Sequence, residues 1–172
     1  MDQEKIKLVE CPRDAMQGIG EFIPTDKKIA YLNQLLKVGF DTLDFGSFVS
    51  PKAIPQLADT GEVLAGLDLS ETKTKLLAIV ANLRGAKAAL EHPEIEYLGY
   101  PFSISETFQI RNTRKTIAES LDLVREVQAL CEEKGKSLVV YISMGFGNPY
   151  GDEWSPEIAA NWVAAVSYTH LR

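Results

Sequence analysis

Cysteine and histidine are nearly missing from this 172-residue chain, with two of each: Cys11, Cys131, His92 and His170. The cysteines are far apart and in no metal-like spacing, which excludes a disulfide framework and a structural zinc and leaves two free thiols. Excess positive charge is missing as well. Against 18 Lys and Arg stand 24 Asp and Glu, a net charge of −6. No basic cluster is interleaved with aromatics, so a nucleic-acid surface is excluded and a small-molecule substrate expected. No apolar run approaches the roughly 20 residues of a spanning helix, and the opening Met1-Asp2-Gln3-Glu4-Lys5 does not lead from a basic region into an apolar one. A cytoplasmic location without a membrane partner is the expectation. The first strand-to-helix loop lacks a Gly-x-Gly-x-x-Gly fingerprint, which leaves a dinucleotide-binding sheet little support.

What is present is an ordinary globular composition, 45% hydrophobic and 24% charged, enough to bury one core. Lys5 to Glu10 alternates polar and apolar residues as a strand does, and Pro12 ends its ladder. Pro24-Thr25-Asp26-Lys27 opens a helix carrying Ile29, Leu32, Leu35, Leu36 and Val38 at helical spacing, closed by Gly39. Strands are expected at 42–45, 75–80, 95–100 and 137–142, the third-strand run Leu76-Leu77-Ala78-Ile79-Val80 being continuously apolar as a strand covered on both faces is. Helices are expected around 62–65, over 82–90, over about 113–134 and from Glu157 to about Val166, the last behind Ser155-Pro156 as N-cap and first helical residue. Five β/α units without a hairpin signal predict a parallel sheet, either an open doubly wound sheet or part of a (β/α)8 TIM barrel.

The charged pair Arg13-Asp14 falls where the first strand ends, the place at which α/β proteins keep their chemistry. Around it, Arg13-Asp14-x-x-Gln17 and Ser47-Phe48-Val49-Ser50-Pro51-Lys52 resemble 3-hydroxy-3-methylglutaryl-CoA lyase, of the metal-dependent lyase and synthase barrels. Pro55-Gln56, Asp59, Asn82-Leu83-Arg84-Gly85, Ser105-Glu106-x-Phe108, Asn112 and Gly147-x-Pro149-Tyr150 followed by Ser155-Pro156 extend the resemblance from Lys5 to about Val166. It implies an incomplete TIM barrel of about five β/α units, residues 1–166 being the amino-terminal part of a lyase-like domain. Residues 167–172 read instead as a tail foreign to that domain, similar to translated adapter sequence.

The resemblance further implies a carbon–carbon lyase that cleaves 3-hydroxy-3-methylglutaryl-CoA to acetoacetate and acetyl-CoA, as in leucine catabolism, in a homodimeric parent. Asp14 is the implied ligand of Mg²⁺ or Mn²⁺. Arg13 is the implied stabiliser of the developing oxyanion, held by Asp44 where the family usually carries Glu, with Gln17 orienting substrate or water. Ser47, Asn82 and Ser105 are the candidate substrate contacts beside Arg13, and Lys52 a candidate for a CoA phosphate. The family's His-x-His metal pair is absent from this sequence, so the chain alone is expected to be inactive. The alternatives are an acyl-CoA condensing synthase of the isopropylmalate or citramalate type, and a non-catalytic thioester-binding fragment.

Overall fold

Each of five strands pairs in parallel with the next in the chain in the computed structural model, which describes residues 6–170. The elements run β1 (Val9–Glu10), α1 (Pro12–Gln17), α2 (Thr25–Leu36), β2 (Thr42–Ser47), a 3₁₀ turn (Pro55–Leu57), α3 (Thr60–Ala65) and β3 (Lys75–Ile79). They continue with α4 (Leu83–Leu90), β4 (Ile95–Ser103), α5 (Glu106–Thr113), α6 (Ile117–Glu133), β5 (Ser137–Ser143) and α7 (Pro156–His170). The order β1-β2-β3-β4-β5 has no reversal point, which removes the doubly wound alternative.

The sheet is curled. In a flat sheet β2 and β5 would lie about 14 Å apart, three strand spacings. Here the Tyr141 hydroxyl on β5 comes within 3.4 Å of Asp44 Oδ2 on β2. The five strands therefore make an incomplete (β/α)8 barrel.

Strand periodicity sorts the side chains. Leu43, Phe45, Leu76, Ala78, Val80, Leu98, Tyr100 and Phe102 join the core shared with Leu32 and Leu36 of α2 and with Leu123, Val124, Val127 and Cys131 of α6. Each Leu, Val or Phe among them stabilises by about 1.5–3 kcal/mol when fully buried. Alternate residues, among them Asp44, Ile79, Gly99, Pro101, Tyr141 and Ser143, fall on the concave face. Gly99 is required there: a Cβ on it would lie 2.5 Å from Ile79 Cδ1 and 3.0 Å from Tyr141 Cε2.

Three elements depart from expectation. The first strand contributes only Val9 and Glu10 to the ladder. Lys5 lies outside the described residues, and Ile6 and Leu8 are exposed because no layer opposes them at this edge. The helix expected over 113–134 is α6 and starts only at Ile117, and a further helix that was not expected, α5, precedes it over Glu106–Thr113. Arg114 adopts a left-handed conformation (φ 59°) that ends α5, and a capping box of Thr116 and Glu119 starts α6. The last helix continues past Val166 to His170, while Leu171 and Arg172 lie outside the described residues.

Candidate active site

A cleft of about 570 Å³ opens at the carboxyl ends of the strands. Its floor holds Cys11, Arg13, Asp14 and Gln17, its inner-face wall Ile79, Pro101, Tyr141 and Ser143, and its rim Phe108, Arg111 and Asn112 of α5. Arg13 and Asp14 sit in the first turn of α1, which Pro12 starts at its first position.

Arg13 is gripped from two sides. Its Nε and Nη2 donate to Asp44 Oδ1 and Oδ2 at 3.1 and 2.6 Å, a two-pronged pair that joins α1 to β2. Its Nη1 donates to Asp14 Oδ1 at 2.8 Å and to Gln17 Oε1 at 3.1 Å. Gln17 is one helical turn beyond Arg13, so both project from the same face of α1. Four of the five guanidinium N–H groups are thus engaged, and one on Nη2 remains. The shorter Asp44 reaches Arg13 with both oxygens.

Burial shapes the protonation of this group. Desolvation works against the Arg13 charge, but the hydrogen bonds and charge of Asp44 outweigh it and raise its pKa above the ordinary guanidinium value. Asp44 is fully buried, and desolvation carries its carboxyl above the usual carboxylate range although Arg13 and Tyr141 pull it back. Burial first, and then the Asp44 charge, raise both the Cys11 thiol and the Tyr141 phenol. Tyr141 is therefore a neutral hydrogen-bond donor at pH 7.

The sequence-derived site residues separate into two groups. Arg13, Asp14, Gln17 and Asp44 come together at the cleft. Ser47, Asn82, Ser105 and Lys52 do not line it. Ser47 is buried, accepts from Val49 N at 3.2 Å and donates to Ile79 O at 3.4 Å, which pins the loop after β2. Asn82 caps α4 by accepting from Gly85 N at 2.9 Å. Ser105 caps α5 and donates to Asp152 Oδ2 at 2.5 Å. Tyr141 and Arg111 are the cleft residues that sequence reasoning passed over. Tyr141 had a signal, since it alternates with the core-facing Val140 and Ile142 near the carboxyl end of β5.

For a divalent cation the donor set is incomplete. Asp14 is the carboxylate of this cleft open to solvent, its side chain 66% exposed. Among the described residues no three His, Cys, Asp or Glu side chains cluster as metal ligands. One carboxylate falls short of the roughly six oxygens such an ion takes.

No protein-family model matches the chain. It is 36% identical over 148 residues to a hydroxymethylglutaryl-CoA lyase of Bacillus subtilis, covering 86% of this chain and 49% of that protein. It is also 36% identical over 162 residues to a Pseudomonas aeruginosa 3-hydroxy-3-isohexenylglutaryl-CoA/hydroxymethylglutaryl-CoA lyase, covering 94% of this chain and 53% of that one. Its fold matches the crystal structure of the Bacillus subtilis HMG-CoA lyase with a TM-score of 0.90 at 32% identity, over 97% of this chain and 56% of that one. A second solved relative, an HMG-CoA lyase from Acinetobacter baumannii in complex with coenzyme A and 3-methylmalate, matches with a TM-score of 0.87 at 32% identity, over 95% and 53%. The chain spans about half the length of the curated relatives it matches. Relatives carry both cytoplasmic and mitochondrial names. No helix among the described residues is long and apolar enough to cross a membrane.

Proposed function

We propose, from the homology of this chain to the hydroxymethylglutaryl-CoA lyases, that it forms the Arg–Asp side of a carbon–carbon lyase site acting on a 3-hydroxy-3-methylglutaryl-type CoA thioester. The observation that carries the reading is the four-residue group Arg13, Asp14, Gln17 and Asp44 at the strand ends of a lyase-like barrel. The reaction breaks the C2–C3 bond as the 3-hydroxyl loses its proton. Acetoacetate leaves, and protonation of the remaining enolate gives acetyl-CoA.

Arg13 presents its one unengaged N–H to the oxyanion that develops on the substrate, and removal of such a donor costs about 10²- to 10³-fold in rate. Asp44 fixes the guanidinium so that no reorganisation is needed in the transition state, and Tyr141 holds Asp44 from the opposite strand. Gln17 orients substrate or water from the helix face it shares with Arg13. Ser47, Asn82 and Ser105 shape the substrate-facing loops through their backbone caps. Asp14 is the donor these residues would bring to Mg²⁺ or Mn²⁺.

The reading gives this chain thioester binding without turnover of its own. Titration with coenzyme A, followed by calorimetry, is expected to saturate, and incubation with 3-hydroxy-3-methylglutaryl-CoA and Mg²⁺ to release no acetoacetate. Absence of coenzyme A binding would overturn it. In a protein that completes the barrel, release of free CoA from acetyl-CoA and a 2-oxo acid would replace the lyase with a condensing synthase, a direction the lyase relatives do not favour.

A further inference from the structure

Arg111 lies on the rim of the same cleft, in the last turn of α5, and its surroundings differ from those of Arg13. Arg13 has its charge met by Asp44 and Asp14. Among the described residues no carboxylate pairs with Arg111, and no hydrogen bond fixes its N–H groups. Its guanidinium instead sits over the Tyr150 ring, 4.9 Å from the centroid. That ring is itself placed by Phe108, 6.3 Å away, and by the turn in which Tyr150 N donates to Asn148 Oδ1 at 3.0 Å.

The oxygens of the nearby carboxylate are engaged by other donors. Asp152 Oδ2 accepts from Ser105 Oγ at 2.5 Å and from Thr107 N at 2.9 Å, and Oδ1 accepts from Thr107 Oγ1 at 2.8 Å. Asp152 therefore steadies the start of α5, and although its charge is felt by Arg111, its oxygens form no ion pair with the guanidinium. A guanidinium seated over an aromatic ring and without a hydrogen-bonded partner keeps its N–H groups for a planar or tetrahedral anion. Beside it, Asn112 adds an exposed amide to the same rim.

We infer that Arg111, with Asn112 beside it, is an oxyanion-binding subsite of this cleft that anchors a negatively charged end of the acyl-CoA while Arg13 meets the reacting centre. The inference rests on the acyl-CoA reading above. Its chemistry suits either the terminal carboxylate of the acyl group or a phosphate of the coenzyme, and both are tested separately.

Calorimetric titrations of the whole chain with coenzyme A, with 3-hydroxy-3-methylglutarate and with uncharged pantetheine distinguish these sources. Arg111→Gln is expected to weaken one of the two anionic probes about tenfold or more, the loss of one charge-assisted contact. Arg111→Lys should restore part of that affinity, while Tyr150→Leu should weaken the same probe less. Pantetheine binding should not change. A loss confined to 3-hydroxy-3-methylglutarate assigns the carboxylate, and one confined to coenzyme A assigns the phosphate. Arg125→Gln, an exposed side chain of α6 paired with Asp122, serves as a charge control that should alter neither.

Arg111→Gln with unchanged affinity for both anions would overturn the inference and leave the acyl-CoA reading standing. A wild-type chain that binds neither anion would overturn both. Thermal unfolding of each variant separates lost contacts from lost structure.

Discussion

Two buried cation–carboxylate pairs in this molecule each join residues 31 positions apart, yet they serve different ends. Lys28 donates to Asp59 Oδ1 at 2.7 Å and to the Gln56 carbonyl, lies 4.1 Å from the Phe22 ring centroid, and is 2% exposed. Around it, Gln56 donates to the carbonyls of Ile19 and Glu21 and accepts from Ile23 N. Every partner of this pair is internal, so it clamps the connection between α1 and α2 onto the turn before α3. Arg13–Asp44 opens on a cleft, shares its cation with two further side chains and keeps one donor unengaged. A sealed pair fixes chain geometry, whereas an open one leaves a fixed charge facing whatever enters.

The comparison is most sharply tested by removing each cation. Lys28→Met leaves Asp59 buried without its counter-charge and is expected to cost about 3–5 kcal/mol in urea unfolding. Arg13→Met should cost less, about 1–3 kcal/mol, because water from the cleft reaches the vacated space and Tyr141 still donates to Asp44. Equal losses would mean that the cleft gives Asp44 no relief. Gly99→Ala drives a methyl group against Ile79 and Tyr141 and should lose about 1–3 kcal/mol as an overpacked site. A neutral outcome would show that Tyr141 is free to move away from Asp44.

The smallest effect is one of sign. Hydrogen bonds from Ser105 and then from Thr107 hold the Asp152 carboxyl below the usual carboxylate range. Its stabilisation is present above the ordinary carboxylate pKa and is lost as pH falls through the lower folded value. Asp44, raised by desolvation, has the reverse sign: its contribution declines as pH rises from the ordinary carboxylate pKa through the higher folded value. Unfolding midpoints between pH 2 and 6 should therefore fall less steeply toward acid in Asp152→Asn. In Asp44→Asn the decline on the rising side of that window should disappear.

The parallel sheet was legible in a periodicity that β2 to β5 follow, whereas its closure as a barrel came from the resemblance, since the same periodicity also fits an open doubly wound sheet. Leu76 to Val80 reads as a covered strand and is one, and Ser155-Pro156 announces α7. Helix α5 was missed because Ser105-Glu106, its cap and first residue, also reads as loop, and the start of α6 was set a few residues early because its capping signal, Thr116 and Glu119, lies inside a run that also fits a longer helix. Lys28 was hidden for a different reason. A lysine between Lys27 and Ile29 reads as solvent-facing, and only the arrival of Asp59 and Gln56 from 28 or more residues away makes its burial tolerable. Arg13, Asp14, Gln17 and Asp44 were named together from the resemblance, and the structure joins their side chains in one hydrogen-bonded group. Ser47, Asn82 and Ser105 carry residue types that serve a ligand and a cap equally well, and here each hydroxyl or amide meets a backbone partner. Arg111 had no sequence signal, since its lack of an ion pair depends on how the Asp152 oxygens are engaged.

The agreement between spatial and chain order has a consequence in time. Each strand docks on the one made just before it, so the sheet can grow from its amino-terminal edge as the chain leaves the ribosome. Arg13 and Asp44 are both available once β2 has emerged, at a stage when β3, β4 and β5 are still to be synthesised. Tyr141 joins them 97 residues later, when β5 closes the curl. The cleft is thus inherited in stages, its charged floor laid down early and its phenolic wall set last.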